Sequence, residues 1–374
     1  MVAGHAIESV GPITPPVPGY CRPVRRRPSL AVLLAALLAG SSLVMGCAQA
    51  QEPAGTPSTP QRVSADDAVT SVLAISIDGL NPTALERLGV SGTPNLHELA
   101  ADGASTLNAR TERELTITLP NHTGMVTGRR IERSLGGHGV TWNDDRRRPT
   151  TVQQAAGHGV ESLFSVVNAS GGSAAVFASK TKFSLWKRSW PDGIDRMVIK
   201  LDNPSLVDAI DRDLLSTDRE LRFLHLSLPD NVGHDRGFMS RAYLQAVRQA
   251  DTLVGSVLDT VASAPALAAG TAVILTSDHG GLGADHSDAR SLANYRVPFM
   301  VRGPGITPGS DLYDLNPDYA DPGARRTSYA APRQPVRNGD LANLALDLLD
   351  LPAVPGSEHN AGLDLDVTLD PAAG

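Results

Sequence analysis

Cysteine is almost absent from this chain of 374 residues, because its only two cysteines, Cys21 and Cys47, fall within the first 47 positions. The remaining residues therefore contain no disulfide bond and no thiolate metal site. Any metal ion bound there must be held by histidine, aspartate, glutamate or hydroxyl side chains.

A net positive charge is also lacking, since 33 Lys and Arg residues face 40 Asp and Glu residues, a formal charge of −7. Residues 1–47 contain four arginines and one glutamate, so the rest carries 29 basic and 39 acidic side chains, a net charge of −10. Nucleic-acid binders use excess cationic charge to contact phosphates. We therefore expect no polymeric nucleic acid among the partners of this chain.

One long apolar run stands near the N-terminus, where Arg25, Arg26 and Arg27 precede SLAVLLAALLAGSSLVMGC. This pattern predicts a signal or lipoprotein leader over residues 1–47. Residues 43–47 resemble a lipobox with Cys47 as the acylated residue, whereas residues 48–50, AQA, resemble a cleavage site; we favour the lipobox. A third interpretation is an uncleaved anchor. We expect an exported protein, lipid-anchored to the outer face of the cell membrane or secreted, that contacts the membrane only through the lipid anchor or an uncleaved leader.

Residues 48–69 are rich in Pro, Ser and Thr and lack periodicity, which predicts a flexible linker. Residues 70–370 are predicted to form a single domain with a loop-rich insertion at 304–338, over the active face or as a lid. Apolar runs at 71–78, 173–179, 196–201, 221–228, 271–277 and 295–301 alternate with helical patterns, of which 240–264 is the longest. This alternation predicts an α/β fold with a largely parallel central sheet and helices on both faces.

Three of the predicted strands end in residue types that bind metal ions. The first ends at Asp78, another leads into Asp230 and His234, and a third leads into Asp278 and His279. Ligands of open α/β sheets bind outside the carboxyl ends of the strands. We therefore expect these side chains to converge at one edge of the sheet.

Residues 118–128, TLPNHTGMVTG, form a fourth element. Pro120 suits the first turn of a helix, so Thr118 is predicted at the helix N-terminus, where free N–H groups favour an anion. A threonine hydroxyl becomes a useful nucleophile when a base or a metal removes its proton. The nearby Asp and His residues are the candidates for binding that metal.

Together these motifs resemble the alkaline phosphatase superfamily, and within it the bacterial type I phosphodiesterase/nucleotide pyrophosphatase family, over roughly residues 70–305. The resemblance rests on IDG at Asp78, TLPNH at Thr118, DNVGH with Asp230 and His234, and SDHG with Asp278 and His279. It implies an alkaline phosphatase-like fold and hydrolysis of phosphodiesters or nucleotide pyrophosphates.

The resemblance also implies two Zn²⁺ ions per chain, with other divalent metals left open. Carried over by motif, one ion is held by Asp230, His234 and His286, and the other by Asp78, Asp278, His279 and the Thr118 oxygen. His286 occupies the interval in which the last metal histidine of the family lies. His359, in SEHN, is its competitor.

The implied mechanism has Thr118 attacking phosphorus, followed by hydrolysis of a phospho-threonine intermediate. Asn143 resembles the family asparagine that donates a hydrogen bond to a phosphate oxygen. Lys180 and Lys182 are candidate substrate-binding residues, and a cationic pair at the phosphate would favour monoesters. The alternative interpretation is that both lysines lie in a solvated loop and do not contact the substrate.

Three further side chains have two interpretations each. Trp186 and Trp190 are candidates for base stacking or for packing against the sheet. His122, which follows the TLPN segment, is expected either to have a structural role or to contact a residue that binds the metal.

We expect a small phosphate ester or nucleotide as the substrate. The alternative function is an alkaline phosphomonoesterase of the same superfamily, and a more remote one is a non-catalytic envelope scaffold lipoprotein. A sulfatase is excluded because Thr118-Leu-Pro-Asn lacks both the modifiable Cys or Ser and the Arg of the sulfatase motif.

Overall fold

A computed structural model describes residues 68–369 of the chain. The predicted leader at 1–47 and all but the last two residues of the predicted linker lie outside these residues. Between residues 68 and 369, no helix combines the length and the apolar character needed to cross a membrane.

Eight strands in the described part of the chain form one mixed sheet. They are β1 (Ser71–Ile77), β2 (Ala104–Arg110), β3 (Ala174–Ala178), β4 (Arg196–Ile199), β5 (Leu221–Leu226), β6 (Thr271–Thr276), β7 (Arg296–Arg302) and β8 (Ser310–Asp311). Their order across the sheet is β4-β3-β5-β1-β6-β7-β2-β8. All neighbouring pairs are parallel except those of β7, which is antiparallel to both β6 and β2.

Thirteen α-helices accompany the sheet in residues 68–369. They are α1 (Pro82–Gly92), α2 (Pro94–Ala101), α3 (Thr118–Thr127), α4 (Val152–Ala156), α5 (Leu163–Ala169), α6 (Ser184–Ser189), α7 (Asn203–Ser216), α8 (Leu228–Arg236), α9 (Arg241–Ser263), α10 (Pro265–Gly270), α11 (Leu292–Tyr295), α12 (Leu312–Leu315) and α13 (Leu341–Leu348). Short 3₁₀ helices occupy Arg133–Leu135, Thr181–Phe183 and Asn338–Asp340.

The central sheet is buried on both of its faces. Successive side chains of a strand point to opposite faces, and in β1 Val72 and Ala74 join one apolar core while Leu73 and Ile75 join another. The first core includes residues of α3, α5 and α13, and the second includes residues of α1, α2, α7 and α9. The predicted α/β architecture, with helices on both faces of a largely parallel sheet, is confirmed.

All six predicted strands are present, and the predicted helix at 240–264 is α9. The structure adds β2, which the sequence ASTLNAR concealed because apolar residues in it are sparse and its burial is irregular. The segment 304–338 contains β8 and α12, so it is not made of loop alone.

The register of the central strands determines where the site lies. Strands β5, β1 and β6 are neighbours, with Ile77 beside Leu226 and Ser76 beside Thr276. The carboxyl ends of the three strands are therefore level with one another, at the edge where the predicted ligands follow them.

A buried ion cluster joins α7 to the sheet. Asp213 of α7 is fully buried and accepts hydrogen bonds from the side chains of Arg222 at 2.9 Å, Arg219 at 3.1 Å and Arg196 at 2.9 Å. Arg222 is itself only 2% exposed. Removing one partner of a buried pair leaves an uncompensated charge, which costs more than the pair contributes.

We therefore expect Asp213→Ala to lower the free energy of unfolding by about 3–5 kcal/mol, as measured by urea denaturation. Asp208→Ala is the matched control, because Asp208 lies exposed on the same helix, and its effect should stay within about 0.5 kcal/mol. Equal effects of the two substitutions would contradict the role assigned to the cluster.

Candidate active site

Four predicted ligand residues meet at the carboxyl ends of three adjacent strands. Asp78 directly follows β1, Asp230 lies in the first turn of α8 after β5, and Asp278 and His279 follow β6. All four side chains are at most 2% exposed. The convergence expected from the strand ends is thus present.

The ligand-type atoms of this site form two groups that share His279. Asp78, Asp278 and His279 each place one such atom within 4.8 Å of the others, and so do Asp230, His279 and His286. The ring of His286 stacks on that of His279, with 3.5 Å between their centroids. Its Nε2 lies 3.4 Å from Asp230 Oδ1.

His234 adjoins the second group from the solvent side. Its Nε2 lies 3.0 Å from His286 Nε2 and 3.4 Å from Asp230 Oδ1. The side chain is 48% exposed. The three residues expected to hold one cation, Asp230, His234 and His286, therefore lie together.

Several polar atoms of the site are buried without a well-formed hydrogen bond, although two of them, His279 Nε2 and Asp278 Oδ2, lie 3.1 Å apart. The buried atoms are Asp78 Oδ1, Asp230 Oδ1, Asp278 Oδ2, His279 Nε2 and Thr118 Oγ1. Buried polar atoms are costly unless something satisfies them. Carboxylate oxygens and imidazole nitrogens, without sulfur, are a donor set that suits catalytic Zn²⁺ and similar divalent ions. The residues present therefore fit a divalent metal centre.

The charge balance of the site also favours a bound cation. Of three buried carboxylates, Asp78, Asp230 and Asp278, the first two bind one lysine, whose Nζ (Lys180) lies 2.6 Å from both Asp78 Oδ2 and Asp230 Oδ2. Burial raises the pKa of Asp230, and the Asp78 charge raises it further. Burial by itself lowers the pKa of His279, but the three carboxylates outweigh this and raise it to about 9.

Thr118 is the first residue of α3, with Pro120 in the first turn as expected. The backbone N–H of Leu119 donates to Asn143 Oδ1 at 3.0 Å, and Lys182 Nζ donates to the same oxygen at 3.0 Å. Because the amide oxygen of Asn143 is engaged, its NH₂ group remains as the donor. Asn143 and Lys182 thus lie at the N-terminus of the helix that carries Thr118.

His122, on the next turn of α3, links Thr118 to a ligand carboxylate. Its Nδ1 lies 2.9 Å from the Thr118 carbonyl oxygen and 3.4 Å from Asp278 Oδ2. Its Nε2 lies 2.8 Å from Ser76 Oγ. Burial lowers the pKa of His122 to about 4, so the ring is neutral near pH 7.

Trp186 and Trp190 lie in the apolar core, at 0% and 4% exposure. The indole N–H of Trp190 donates to the carbonyl oxygen of Val160, and Trp186 packs edge-on against Phe183 and Phe223. Of the two interpretations of these tryptophans, the structure supports packing.

The two candidates for the last metal histidine occupy different surroundings. His286 Nδ1 lies 2.6 Å from the carbonyl oxygen of Thr116, an arrangement that directs Nε2 towards Asp230 and is typical of metal-binding histidines. His359 Nε2 instead lies 2.9 Å and 3.0 Å from the two oxygens of Glu112. Of the two, the structure brings His286 to the carboxylates.

Glu112 belongs to the segment 111–117 that joins β2 to α3, which we call the β2–α3 loop. It is fully buried, and its Oε2 lies 2.5 Å from the hydroxyl of Tyr329, a residue of the 304–338 insertion. The same hydroxyl lies 2.8 Å from Glu114 Oε2. The insertion and the C-terminal segment therefore both contact the loop that leads to Thr118.

Sequence analysis missed Glu112 and a second buried residue, His225, whose Nε2 lies 2.9 Å from Asp78 Oδ2. A signal was available for His225, because it is a polar residue inside the apolar strand LRFLHL. Glu112 had none, since its partners lie more than 200 residues away along the chain.

We expect His286→Ala and His359→Ala to differ in kind. His286→Ala should lower the Zn²⁺ content retained after dialysis, because it removes a ligand atom from the Asp230 group. His359→Ala should retain the metal but lower the free energy of unfolding by about 3–5 kcal/mol, because the buried Glu112 carboxylate loses its ion-pair partner. Loss of metal in His359→Ala, with normal content in His286→Ala, would reverse the assignment.

Comparison with known proteins supports the same interpretation. Residues 72–296 match the family model described as type I phosphodiesterase/nucleotide pyrophosphatase. This range includes Thr118, Asn143 and all the predicted ligands, but not His359. None of the curated proteins matches this sequence.

Two solved structures of murine ectonucleotide pyrophosphatase/phosphodiesterase 5 are similar in fold. One is the protein itself, with a TM-score of 0.60, and the other is an inactive variant in complex with AMP, with a TM-score of 0.59. Each is 15% identical in sequence, over 79% of this chain and 99% of the murine chain. The shared fold is that of the alkaline phosphatase superfamily, and the family match supports a hydrolase of phosphate ester bonds. This chain belongs to the type I phosphodiesterase/nucleotide pyrophosphatase family.

Proposed function

We propose that this protein is a zinc-dependent phosphoric ester hydrolase that cleaves phosphodiesters or nucleotide pyrophosphates through a phospho-threonine intermediate at Thr118. The observation that carries the proposal is the cluster of buried polar atoms that lack a well-formed hydrogen bond, in which the Thr118 hydroxyl occurs together with three carboxylate oxygens and one imidazole nitrogen. A cation bound at this position would therefore satisfy the proposed nucleophile and the ligand atoms that would activate it.

Two Zn²⁺ ions fit the donor set. Asp230, His234 and His286 would hold one, and Asp78, Asp278, His279 and the Thr118 oxygen would hold the other. When bound, such ions lower the pKa of a coordinated hydroxyl or water and offset negative charge on phosphate oxygens.

In the proposed reaction, the Thr118 hydroxyl releases its proton to solvent and its Oγ attacks phosphorus. The bond between phosphorus and the oxygen of the leaving alcohol or nucleotide breaks. Its electron pair stays with that oxygen, which takes up a proton. Water then loses a proton and attacks phosphorus from the side opposite Thr118 Oγ. The bond between phosphorus and Oγ breaks, Oγ takes up a proton to restore the hydroxyl, and the phosphate product is released. Two in-line displacements give net retention at phosphorus.

Asn143 and Lys182 would orient the phosphate. The Asn143 NH₂ group is free to donate to a non-bridging oxygen, since Leu119 N–H and Lys182 both bind its oxygen. The N-terminus of α3 adds the partial positive charge of the helix dipole. Lys180 is engaged with Asp78 and Asp230, so its ammonium has at most one proton for a substrate oxygen.

A small nucleotide is the substrate we propose. A structural neighbour binds AMP, and the net negative charge argues against polymeric nucleic acid. We further propose that the residues before the catalytic domain export the protein and leave it lipid-anchored or secreted. This proposal rests on the sequence pattern of residues 1–69.

The second candidate function is an alkaline phosphomonoesterase, and one observation favours it. Lys182 Nζ lies at the N-terminus of α3 with one hydrogen bond, to Asn143, and an ammonium has three protons. A monoester dianion has more charge on its non-bridging oxygens than a diester and would gain more from this cation.

Thr118→Ala should retain the fold and the metal but lose roughly a thousand-fold or more in kcat. Thr118→Ser restores a hydroxyl at the same position and should recover measurable turnover. The measurements are kcat on a nitrophenyl nucleotide diester and metal content by elemental analysis. Turnover by Thr118→Ala close to that of the unchanged protein would exclude Thr118 as the nucleophile.

We expect the zinc-loaded protein to hydrolyse a nitrophenyl nucleotide diester with a kcat/KM about a hundred-fold above that for nitrophenyl phosphate, a difference of about 2.7 kcal/mol. Lys182→Ala should lower kcat/KM for the monoester by about ten-fold or more and affect the diester less. Each substrate serves as the control for the other. Preference for the monoester would establish the alkaline phosphomonoesterase. If the zinc-loaded protein hydrolyses neither substrate, the result would favour the non-catalytic scaffold lipoprotein.

A further inference from the structure

His225 is a fully buried histidine near the end of β5 whose function the motifs leave unassigned. Its Nε2 lies 2.9 Å from Oδ2 of Asp78, a predicted metal ligand. The ring packs against Phe183, with 4.4 Å between the centroids, and edge-on against His122 at 4.8 Å. The orientation of the ring is therefore determined by its neighbours.

The surroundings of the other ring nitrogen define which tautomer is present. The backbone N–H of Ser179 donates to His225 Nδ1 at 3.3 Å, so Nδ1 carries the lone pair. The Ser179 hydroxyl donates to the His225 carbonyl oxygen at 2.9 Å. The ring proton is consequently on Nε2, and the hydrogen bond runs from Nε2–H to the Asp78 carboxylate.

This hydrogen bond makes the surroundings of the two Asp78 carboxylate oxygens different. Oδ2 receives Nε2–H of His225 and the Lys180 ammonium, whereas Oδ1 is buried and has no hydrogen-bond partner. Oδ1 lies on the side of His279, whose Nε2 is 3.5 Å away. Lys180 also binds Asp230 through a long side chain, so the packed ring of His225 is the more rigid of the two constraints on Asp78.

We propose that His225 is a positioning residue that fixes the Asp78 carboxylate with Oδ1 directed at a bound divalent cation. The inference rests on the proposed function, since it requires the metal centre. Hydrogen-bond partners of metal ligands hold the ligand in its binding geometry, and their loss typically costs about 10–100-fold in metal affinity.

The test measures metal binding by the purified full-length protein. His225→Leu removes the donor, and His225→Gln keeps an N–H near the position of Nε2. His138→Leu is the control for losing a buried histidine, because His138 is also fully buried, its Nδ1 accepts the backbone N–H of Val140, and no contact joins it to a predicted ligand carboxylate. The dissociation constant for Zn²⁺ is measured by competition with a chromophoric chelator, and the visible spectrum of the Co²⁺-substituted protein reports ligand geometry.

We expect His225→Leu to weaken Zn²⁺ binding by about 10–100-fold and to alter the Co²⁺ bands. His225→Gln should recover most of the affinity, and His138→Leu should bind Zn²⁺ like the unchanged protein. If the leucine variant does not fold, His225→Phe keeps the ring volume without the donor and should show the same weakening.

Unchanged Zn²⁺ affinity and Co²⁺ spectrum in a folded His225→Leu or His225→Phe protein would overturn the inference and leave the proposed function intact. A folded His225→Gln variant as weak as the leucine variant would also overturn it, because packing rather than the hydrogen bond would then be responsible. Failure of the unchanged protein to bind Zn²⁺ would overturn the proposed function itself.

Discussion

Negative charge buried at one edge of the sheet is the constraint on which the site depends. Asp78, Asp230 and Asp278 are removed from water within a few ångströms of one another, and Lys180 supplies one positive charge between two of them. Carboxylates so placed repel each other strongly at low dielectric. The arrangement therefore fits a site that binds cations.

The surrounding architecture keeps the carboxylates in place. Strands β5, β1 and β6 are buried on both faces by separate apolar cores, so the level of their carboxyl ends is fixed by packing on two sides. The cores carry the stability, and the polar atoms at the strand ends can remain unsatisfied by protein. Unsatisfied buried polar atoms of this kind typically mark functional sites.

Much of this could be predicted from the sequence, because the informative signals are local. Buried parallel strands are continuous apolar runs, and Asp78, Asp278 and His279 follow such runs directly. The order of strands and the reversed direction of β7 depend on contacts between distant segments, as does β2, whose apolar residues are sparse. The choice between His286 and His359 was open for the same reason, since each is determined by a distant partner, Thr116 or Glu112.

The contacts of Glu112 bear on the order in which the chain becomes functional. Its carboxylate is met by Tyr329 and His359, which follow it by 217 and 247 residues. A contact between residues so far apart in sequence closes a long loop, which costs conformational entropy and slows the formation of that contact. The segment that leads into Thr118 therefore acquires these contacts only once residues 329 and 359 are available to fold against it. All the predicted metal ligands, Thr118 included, precede residue 329, so the loop that leads into Thr118 depends on partners that follow every one of them in the sequence.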